Sequence, residues 1–288
     1  MRQIDLKKII IKIGTLPVAQ KLFGYLGREL KPERWIFVVG CYNSGTTLLT
    51  EILGQHPLIG SMPDEGVSFT DSLPYPEQCG WTRMWHRCID EVRLAPNSLS
   101  PNTIRRIKKQ WAFWYTKNAP NLIEKSVANS VRMLFLQTHF QPAYFIAIVR
   151  NGYAVAEGIR RKARLDRWQN AEYTDSYPLA LCAKQWRITD EIIKQDSAII
   201  RKFKQIYYED LTTRPFQTLL EITNFLELPP IEERILDKTW GIQEKNEPII
   251  NMNERSFHRL LPSDLDIIES VAGKRLKRHG YCRPSTAI

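Results

Sequence analysis

A glycine-rich loop is the part of the chain whose residue types and spacing most clearly suit chemistry. Residues 40–47 read Gly-Cys-Tyr-Asn-Ser-Gly-Thr-Thr, which has the Gly-x-x-x-x-Gly-Thr-Thr spacing of a phosphate-binding loop. In such a loop the backbone N–H groups and the positive end of the next helix face an anion. Thr46 stands where a P-loop NTPase carries the lysine that reaches the β- and γ-phosphates. The pattern therefore predicts an anion site that differs from that of a P-loop kinase.

Alternating strands and helices are expected to position this loop. The wholly apolar run 35–40 predicts a strand buried on both faces of a sheet, and the apolar residues after the loop predict a helix. Further strands are predicted at 121–126, 143–150 and 204–211, with helices at 178–197 and 214–227. This order predicts an α/β fold: a single domain with a central parallel sheet flanked by helices, of the P-loop-containing nucleotide-binding type. A ligand is expected at the carboxyl ends of the strands, where the loop lies.

The sequence predicts an N-terminal segment followed by one domain. Residues 1–34 are predicted to form an amphipathic helical segment, and its stretch 6–30 could rest on a membrane surface or pack on the domain. Residues 35–288 are predicted to form the α/β domain. Two stretches fall outside the alternating pattern and are predicted to be insertions on the ligand-binding edge of the sheet, about 66–120 and 157–178. The aromatic residues of the first are expected to be mostly core.

A set of motifs resembles the sulfotransferases that use 3′-phosphoadenosine-5′-phosphosulfate (PAPS). The loop and helix "NSGTTLLTEILGQHP" are similar to the phosphosulfate loop of that family, and "IEKSVANSV" is similar to its "EK-(S/T)" strand. The strand "AYFIAIVR" ends in arginine, as the second nucleotide motif of the family does. The stretches "IYYEDLTTRPFQTLLEITNFLEL" and "SFHRLLPSDLDIIESVAGKRLKRHGY" resemble its later elements. The motifs occur in order across most of residues 35–281.

The resemblance implies a set of residues that bind PAPS. It places Ser44, Gly45, Thr46 and Thr47 on the 5′-phosphosulfate, Arg150 on the 3′-phosphate and Tyr208 against the adenine. An arginine at the carboxyl end of a strand suits this role because its guanidinium is a fixed, bidentate anion clamp. For Tyr208 a purely structural place in the core is the competing interpretation.

Two positions depart from the family pattern. The family has lysine or arginine immediately before Ser-Gly-Thr-Thr, touching the bridging oxygen and the transferred group, whereas this chain has Asn43. The family also has a serine eight residues after its arginine, and this chain has Gly158. Lys125 is the first candidate for a substitute cation, and a structural ion pair is the competing interpretation. Arg160 and Arg161 are weaker candidates.

A base for the acceptor hydroxyl is expected after the loop helix. Glu65 lies where many relatives place a catalytic glutamate, and the adjacent Asp64 could exchange roles with it; a solvated loop carboxylate is the competing interpretation. His86 is a lesser candidate. No cluster with metal-ligand spacing is visible, and no metal is required if side chains supply the positive charge.

The sequence predicts a sulfotransferase that moves a sulfuryl group from PAPS to a hydroxyl or amine of a small-molecule, lipid or carbohydrate acceptor. The alternatives are a non-catalytic member that binds PAPS or its product and, less favoured, a P-loop kinase. The chain has 288 residues and a formal net charge of +10, which suits anionic ligands. Basic residues are scattered, so no nucleic-acid partner is expected. With no signal peptide or membrane anchor visible, we expect a cytoplasmic, bacterial enzyme. The sequence makes no prediction of oligomeric state.

Overall fold

Five parallel strands form the central sheet and fix where the candidate site lies. The structure is a computed structural model that describes residues 11–168, 170, 172–242 and 245–285. The strands are β1 (Arg34–Gly40), β2 (Ile59–Ser61), β3 (Asn121–Glu124), β4 (Ala143–Val149) and β5 (Phe203–Tyr207). Their order in the sheet is β2-β3-β1-β4-β5, with β1 at the centre. The predicted α/β fold with a central parallel sheet is confirmed.

Helices cover both faces of this sheet. A two-stranded antiparallel sheet of β6 (Trp240–Ile242) and β7 (Lys245–Glu247) follows the parallel one in the chain. The helices are α1 (Pro17–Leu26), α2 (Thr46–Leu53), α3 (Ile89–Val92), α4 (Pro101–Trp111), α5 (Met133–His139), α6 (Gly152–Lys162), α7 (Leu179–Ser197), α8 (Tyr208–Thr213), α9 (Pro215–Phe225), α10 (Asn253–Phe257) and α11 (Pro262–Arg278).

The central strand β1 is apolar after Arg34, and both of its faces are buried from Trp35 onward. Trp35 and Phe37 point to one face, where they pack in a cluster with Trp111 of α4 and other aromatic side chains. Ile36 and Val38 point to the other face and pack with the apolar residues of α2 and α9. This alternation places α2, and with it the loop that precedes it, against the sheet.

The strand predictions need two corrections. The stretch 204–211 was expected to be one strand, but β5 ends at Tyr207 and α8 begins at the next residue. Glu209 and Asp210 fall in the first turn of that helix, where carboxylates are stabilised by the helix dipole. The sequence pattern also missed β2, a strand of three residues at 59–61, because such a short strand has no recognisable periodicity.

The two predicted insertions differ in kind. Residues 66–120 do form an irregular segment of short helical turns with α3 and α4, and its residues Trp85, Trp111 and Trp114 are buried. The prediction that most of these aromatics belong to the core is therefore correct. The boundary of the second insertion is wrong, because α6 continues from residue 152 to residue 162 and carries Gly158 in its interior.

The predicted N-terminal segment is described from residue 11, and residues 1–10 lie outside the described residues. Helix α1 packs on α4 and is tied to the domain by Gln20, whose Nε2 donates to the Ser68 carbonyl at 3.0 Å. The opposite face of α1 exposes large apolar side chains at Val18, Leu22 and Tyr25. Among the helices that the structure describes, none is both long enough and apolar enough to cross a bilayer.

Candidate anion-binding site at the sheet edge

The glycine-rich loop leaves β1 and enters α2 through a residue in the left-handed region. Gly45 has φ +95° and forms the N-cap of α2, and no side chain caps the helix there. The first N–H groups of a helix have no partner within it, so those of α2 are available to a ligand. A Cβ atom at Gly45 would come within 2.6 Å of the Tyr208 ring. Both the backbone angle and this contact therefore require glycine.

Two polar atoms of the loop are buried without a hydrogen-bond partner among the described residues. They are Ser44 Oγ and Asn43 Nδ2. Asn43 itself has φ 62°, a left-handed conformation that asparagine adopts more readily than most residues. Buried polar groups in proteins are nearly always paired, so these two donors indicate that a ligand completes the site. Thr46 is buried and Thr47 half-buried at the start of α2.

Arg150 follows the last residue of β4 and lies directly against the loop. Its Nη1 donates to the Asn43 carbonyl at 2.8 Å, and its Nε donates to Asn253 Oδ1 at 2.8 Å. The guanidinium carbon lies 4.2 Å from the centre of the Tyr208 ring. Burial lowers the pKa of Arg150, which is the cost of holding a cation at this edge before an anion arrives.

Tyr208 is packed between the loop and Arg150. Its ring is buried, and its hydroxyl accepts from the Met252 amide and donates to the Ile250 carbonyl, each at 3.1 Å. The predicted contact with adenine stays a prediction, since the ring also serves as a packing surface for Gly45 and Arg150.

A network behind Arg150 was not found from the sequence. Glu209 Oε1 accepts from the Asn253 side chain at 2.7 Å and from the Asn151 amide at 3.0 Å. Its Oε2 accepts from the Tyr281 hydroxyl at 3.0 Å. Tyr281 belongs to the "HGY" ending that resembles a family element, and this resemblance was the one sign in the sequence that pointed to the network. The network fixes the side chain of Asn253, and through it the Arg150 guanidinium.

Glu65 and Lys125 form an ion pair at the end of β3. Lys125 Nζ lies 3.0 Å from Glu65 Oε1, and the Val127 amide donates to Glu65 Oε2 at 3.3 Å. Burial opposes the charge on Lys125, but Glu65 and Asp64 outweigh it and raise the lysine pKa. The structure therefore shows Lys125 in an ion pair, and its partner is the candidate base Glu65. Asp64 accepts from the Glu65 amide at 2.8 Å.

A second carboxylate, a second cation and a tyrosine lie in this region, and the sequence pattern predicts none of them as a site residue. Burial raises the pKa of Tyr42, and the neighbouring charges of Glu77 and Glu65 raise it further. Arg83 lies close to the same tyrosine and donates from Nη1 to Asn43 Oδ1 at 3.4 Å. Because β1 and β3 are neighbouring parallel strands, the loop after β1 and the Glu65–Lys125 pair lie at the same edge of the sheet.

Lys162, at the end of α6, adds a further cation. Burial, together with the neighbouring charges of Arg161, Arg83 and Arg150, lowers the pKa of Lys162 to about 7. Repulsion of this kind shows that several cations converge without enough negative charge between them. An anion bound among them would relieve the repulsion.

The weaker candidates are held elsewhere. Arg160 forms two hydrogen bonds of 3.1 Å with Asp264 of α11, and Arg161 pairs with Glu157 one turn earlier at 2.7 Å. His86 Nδ1 lies 3.1 Å from Gln185 Oε1 of α7, and burial lowers the His86 pKa to about 4. Within the described residues, no group of three or more His, Cys, Asp or Glu could hold a metal ion.

Glu124, the last residue of β3, is a buried carboxyl that links two segments of the site by hydrogen bonds. It accepts from the Gly66 amide at 2.8 Å and also from Ser126 Oγ and Asn129 Nδ2, so it ties the segment after Glu65 to the segment after Lys125. Burial raises the Glu124 pKa to about 7, although the hydrogen bonds from Ser126 and Gly66 act in the opposite direction. The fold therefore favours its protonated form.

We predict that this carboxyl makes stability depend on pH. Because its pKa is higher in the folded chain, its contribution is complete below about pH 4.5 and is lost as the pH rises through about 7. Between pH 5 and 8, the free energy of unfolding of the natural protein should fall relative to Glu124→Gln by up to about 3 kcal/mol. Urea unfolding at several pH values measures this difference. Glu254→Gln, at an exposed position, is the control, and parallel curves for the natural protein and Glu124→Gln would contradict the prediction.

Comparison with known proteins identifies relatives of the whole fold. The chain matches a family model described as "Sulfotransferase family" over residues 35–233. It is 22% identical over 245 residues to protein-tyrosine sulfotransferase A of Caenorhabditis elegans, an alignment that covers 83% of this chain and 61% of that relative. The chain thus spans less than two thirds of the relative's length.

Two solved structures are similar in fold. Sulfotransferase STF9 from Mycobacterium avium superposes with a TM-score of 0.57 at 15% identity, covering 88% of this chain and 78% of that one. Mouse sulfotransferase SULT7A1, solved in complex with PAP, gives a TM-score of 0.50 at 13% identity and covers 89% of both chains. At these identities the similarity concerns the fold.

Proposed function

Because this chain belongs to the sulfotransferase family, we propose that it transfers a sulfuryl group from PAPS to a hydroxyl group of an acceptor. The observation that carries the proposal is the loop, whose buried donors Ser44 Oγ and Asn43 Nδ2 have no partner among the described residues while Arg150 lies against it. The fold supports the same donor, since a structural neighbour is a complex with PAP, the desulfonated product adenosine 3′,5′-bisphosphate.

Each part of the site has an expected task in this reaction. The N–H groups at the start of α2 and the side chains of Ser44, Thr46 and Thr47 would hold the 5′-phosphosulfate. Arg150 would bind the 3′-phosphate as a charge-assisted clamp, and Tyr208 would support the adenine. Sulfuryl transfer, like phosphoryl transfer, is expected to pass through a loose in-line transition state, so positioned donors and cations supply most of the catalysis.

The acceptor oxygen is activated from the other side of the site. Glu65 is the proposed base: it would take the hydroxyl proton while the acceptor oxygen bonds to sulfur. As that bond forms, the bond between sulfur and the bridging oxygen of the 5′-phosphate breaks, and its electron pair stays on that phosphate oxygen. Lys125, 3.0 Å from Glu65, orients that carboxylate.

We propose a tyrosine phenol of an acidic polypeptide as the first acceptor to test. The names of relatives such as protein-tyrosine sulfotransferase A support this class, which differs from the small-molecule, lipid and carbohydrate acceptors expected from the sequence. The net charge of +10 suits an acidic partner. A panel holding an acidic tyrosine peptide, its phenylalanine analogue and a simple sugar distinguishes the classes by which member accepts labelled sulfur from PAPS.

Donor binding is tested by calorimetric titration with PAP and, separately, with Mg-ATP. The proposal predicts saturable, one-to-one binding of PAP, whose 3′-phosphate Arg150 would bind. Mg-ATP should bind much more weakly, because it lacks the 3′-phosphate and position 46 is threonine where a P-loop NTPase has lysine. Binding of Mg-ATP without binding of PAP would contradict the proposal.

We also propose that α1 contacts an anionic membrane surface. Its exposed face carries Val18, Leu22, Tyr25 and Leu26, which are 79%, 51%, 81% and 61% exposed and follow the i, i+4, i+7, i+8 spacing of one helix face. Cations flank this face: Lys21 is exposed, and Lys109 of α4 lies 3.5 Å from the Tyr25 carbonyl. An apolar face bordered by positive charge matches the surface of an anionic bilayer.

Vesicle binding tests this contact. The protein should sediment with phosphatidylserine vesicles more than with phosphatidylcholine vesicles, and replacing both Val18 and Leu22 by glutamate should weaken that binding by about tenfold or more. The matched control replaces Ile199 and Ile267, exposed apolar residues elsewhere, by glutamate. Equal binding to both kinds of vesicle, or equal loss in both double variants, would rule out a specific role for α1.

A further inference from the structure

The two positions that depart from the family pattern touch each other. Gly158 lies inside α6, and a Cβ atom placed on it would come within 3.1 Å of Asn43 Cγ and 3.2 Å of Asn43 Nδ2. That spacing is tighter than ordinary van der Waals contact, so a serine at 158 would push the Asn43 side chain away. Asparagine at 43 and glycine at 158 therefore fit together in the packing of the loop.

The Asn43 side chain that fills this space also accepts a hydrogen bond from a cation. Arg83 Nη1 donates to Asn43 Oδ1 at 3.4 Å, although the two residues are 40 positions apart in the chain. Asn43 Nδ2, on the same amide, is buried and unpaired among the described residues. The amide thus connects the guanidinium of Arg83 to the loop.

The segment that carries Arg83 is anchored in place. Arg83 has φ 57°, a left-handed conformation that is uncommon for arginine. Its amide donates to Glu77 Oε1 at 3.4 Å, the Thr82 carbonyl accepts from the buried Tyr177 hydroxyl at 3.1 Å, and the Met84 side chain is fully buried. A strained residue held between buried neighbours is often part of a functional site.

The charge on Arg83 is not neutralised by an ion pair in the described part of the chain. The other candidate cations are neutralised by ion pairs: Lys125 is paired with Glu65, Arg160 with Asp264 and Arg161 with Glu157. Arg83 has no such partner within the described ranges, and its charge, with burial and the charges of Arg161 and Arg150, lowers the pKa of Lys162. Among the cations of the described residues, Arg83 is the one that contacts the side chain at position 43.

We propose that Arg83 supplies the positive charge that the family places at position 43, with Asn43 and Gly158 as the pair that admits it to the loop. This inference rests on the proposed sulfuryl transfer and names the residue that would replace the missing lysine or arginine. The charge that develops on the leaving phosphate would be balanced by a guanidinium from the irregular segment after β2. Lys125 would remain a positioning residue for Glu65.

The experiment measures turnover and PAP affinity in a set of variants of the full chain. Arg83→Gln should lower kcat by about 100-fold while weakening PAP binding by less than about tenfold, because the charge acts mainly on the transition state. Arg83→Lys should keep at least about a tenth of the natural turnover. Arg87→Gln is the control, because Arg87 is an exposed arginine on the same segment as Arg83 and is paired with Glu172. This variant should change turnover by less than about twofold.

Returning the charge to the family position provides the decisive variant. Asn43→Arg in the Arg83→Gln background should recover about tenfold or more of the lost turnover, a recovery that a merely structural role of Arg83 would not produce. Thermal unfolding of each variant checks that the fold is intact. If the natural protein transfers sulfur and Arg83→Gln does so equally well, or if Asn43→Arg restores nothing, the inference is wrong and the proposed function stands. If the natural protein binds no PAP and transfers nothing, the proposed function fails and the inference fails with it.

Discussion

Arg150→Ala is expected to weaken PAP binding by about 100-fold or more, because a buried charge-assisted contact to the 3′-phosphate is lost. Binding of adenosine 5′-monophosphate, which lacks that phosphate, should change by less than about threefold. The natural protein should therefore discriminate between the two nucleotides, and the variant should not. Calorimetric titration of both proteins with both ligands gives the four affinities that the comparison needs.

The four affinities also separate two roles that the geometry gives to Arg150. Its Nη1 donates to the Asn43 carbonyl at 2.8 Å, so the side chain could act by holding the loop as well as by binding phosphate. If the loop were its main task, Arg150→Ala would weaken both nucleotides equally. Equal losses would therefore contradict the assignment to the 3′-phosphate. Arg234→Ala, at an exposed position, controls for the general loss of positive charge.

Glu65→Gln is expected to lower kcat by about 100-fold to 1,000-fold and to leave PAP affinity within about threefold of its natural value. Glutamine retains the shape of the side chain but cannot accept the acceptor proton. The ion pair with Lys125 is lost at the same time, so a Lys125→Met variant shows how much of the effect comes from orientation of the carboxylate. Turnover at saturating PAPS and PAP affinity are the two measurements.

Asp64→Asn is the matched control for this prediction. Asp64 accepts from the Glu65 amide and helps to raise the pKa of Lys125. Its replacement should therefore lower turnover less than replacement of Glu65 does. Full turnover in Glu65→Gln would remove Glu65 from the mechanism. A larger loss in Asp64→Asn than in Glu65→Gln would assign the base to Asp64 instead.

Residues fixed by local patterns could be predicted from the sequence. The loop at 40–47 follows an apolar strand and precedes an apolar helix, and Arg150 follows another apolar strand, so both were expected at one edge of the sheet. Such predictions succeed because the carboxyl ends of parallel strands meet wherever the chain is folded this way. The same logic placed Lys125 at that edge, but it could not show that Glu65 would be its partner.

Residues whose place depends on tertiary packing were missed. Arg83 and Glu77 come from irregular turns whose position is set by buried side chains such as Met84 and Trp85, and no periodicity marks them. The contact between Gly158 and Asn43 joins positions 115 residues apart in a way that no local pattern records. Tyr208 was predicted to lie in a strand over 204–211, whereas α8 begins at Tyr208 and has Glu209 and Asp210 in its first turn.

The most direct test of the account is transfer of radiolabelled sulfur from PAPS by the natural protein, with Asn43 in place. We predict that the label appears on an acceptor of the panel, that PAP is formed in equal amount, and that Asn43→Arg is not needed for either. If only Asn43→Arg transfers the label, the natural protein is a non-catalytic member of its family. That result would contradict the central claim that the site is active with its cation supplied from outside the loop.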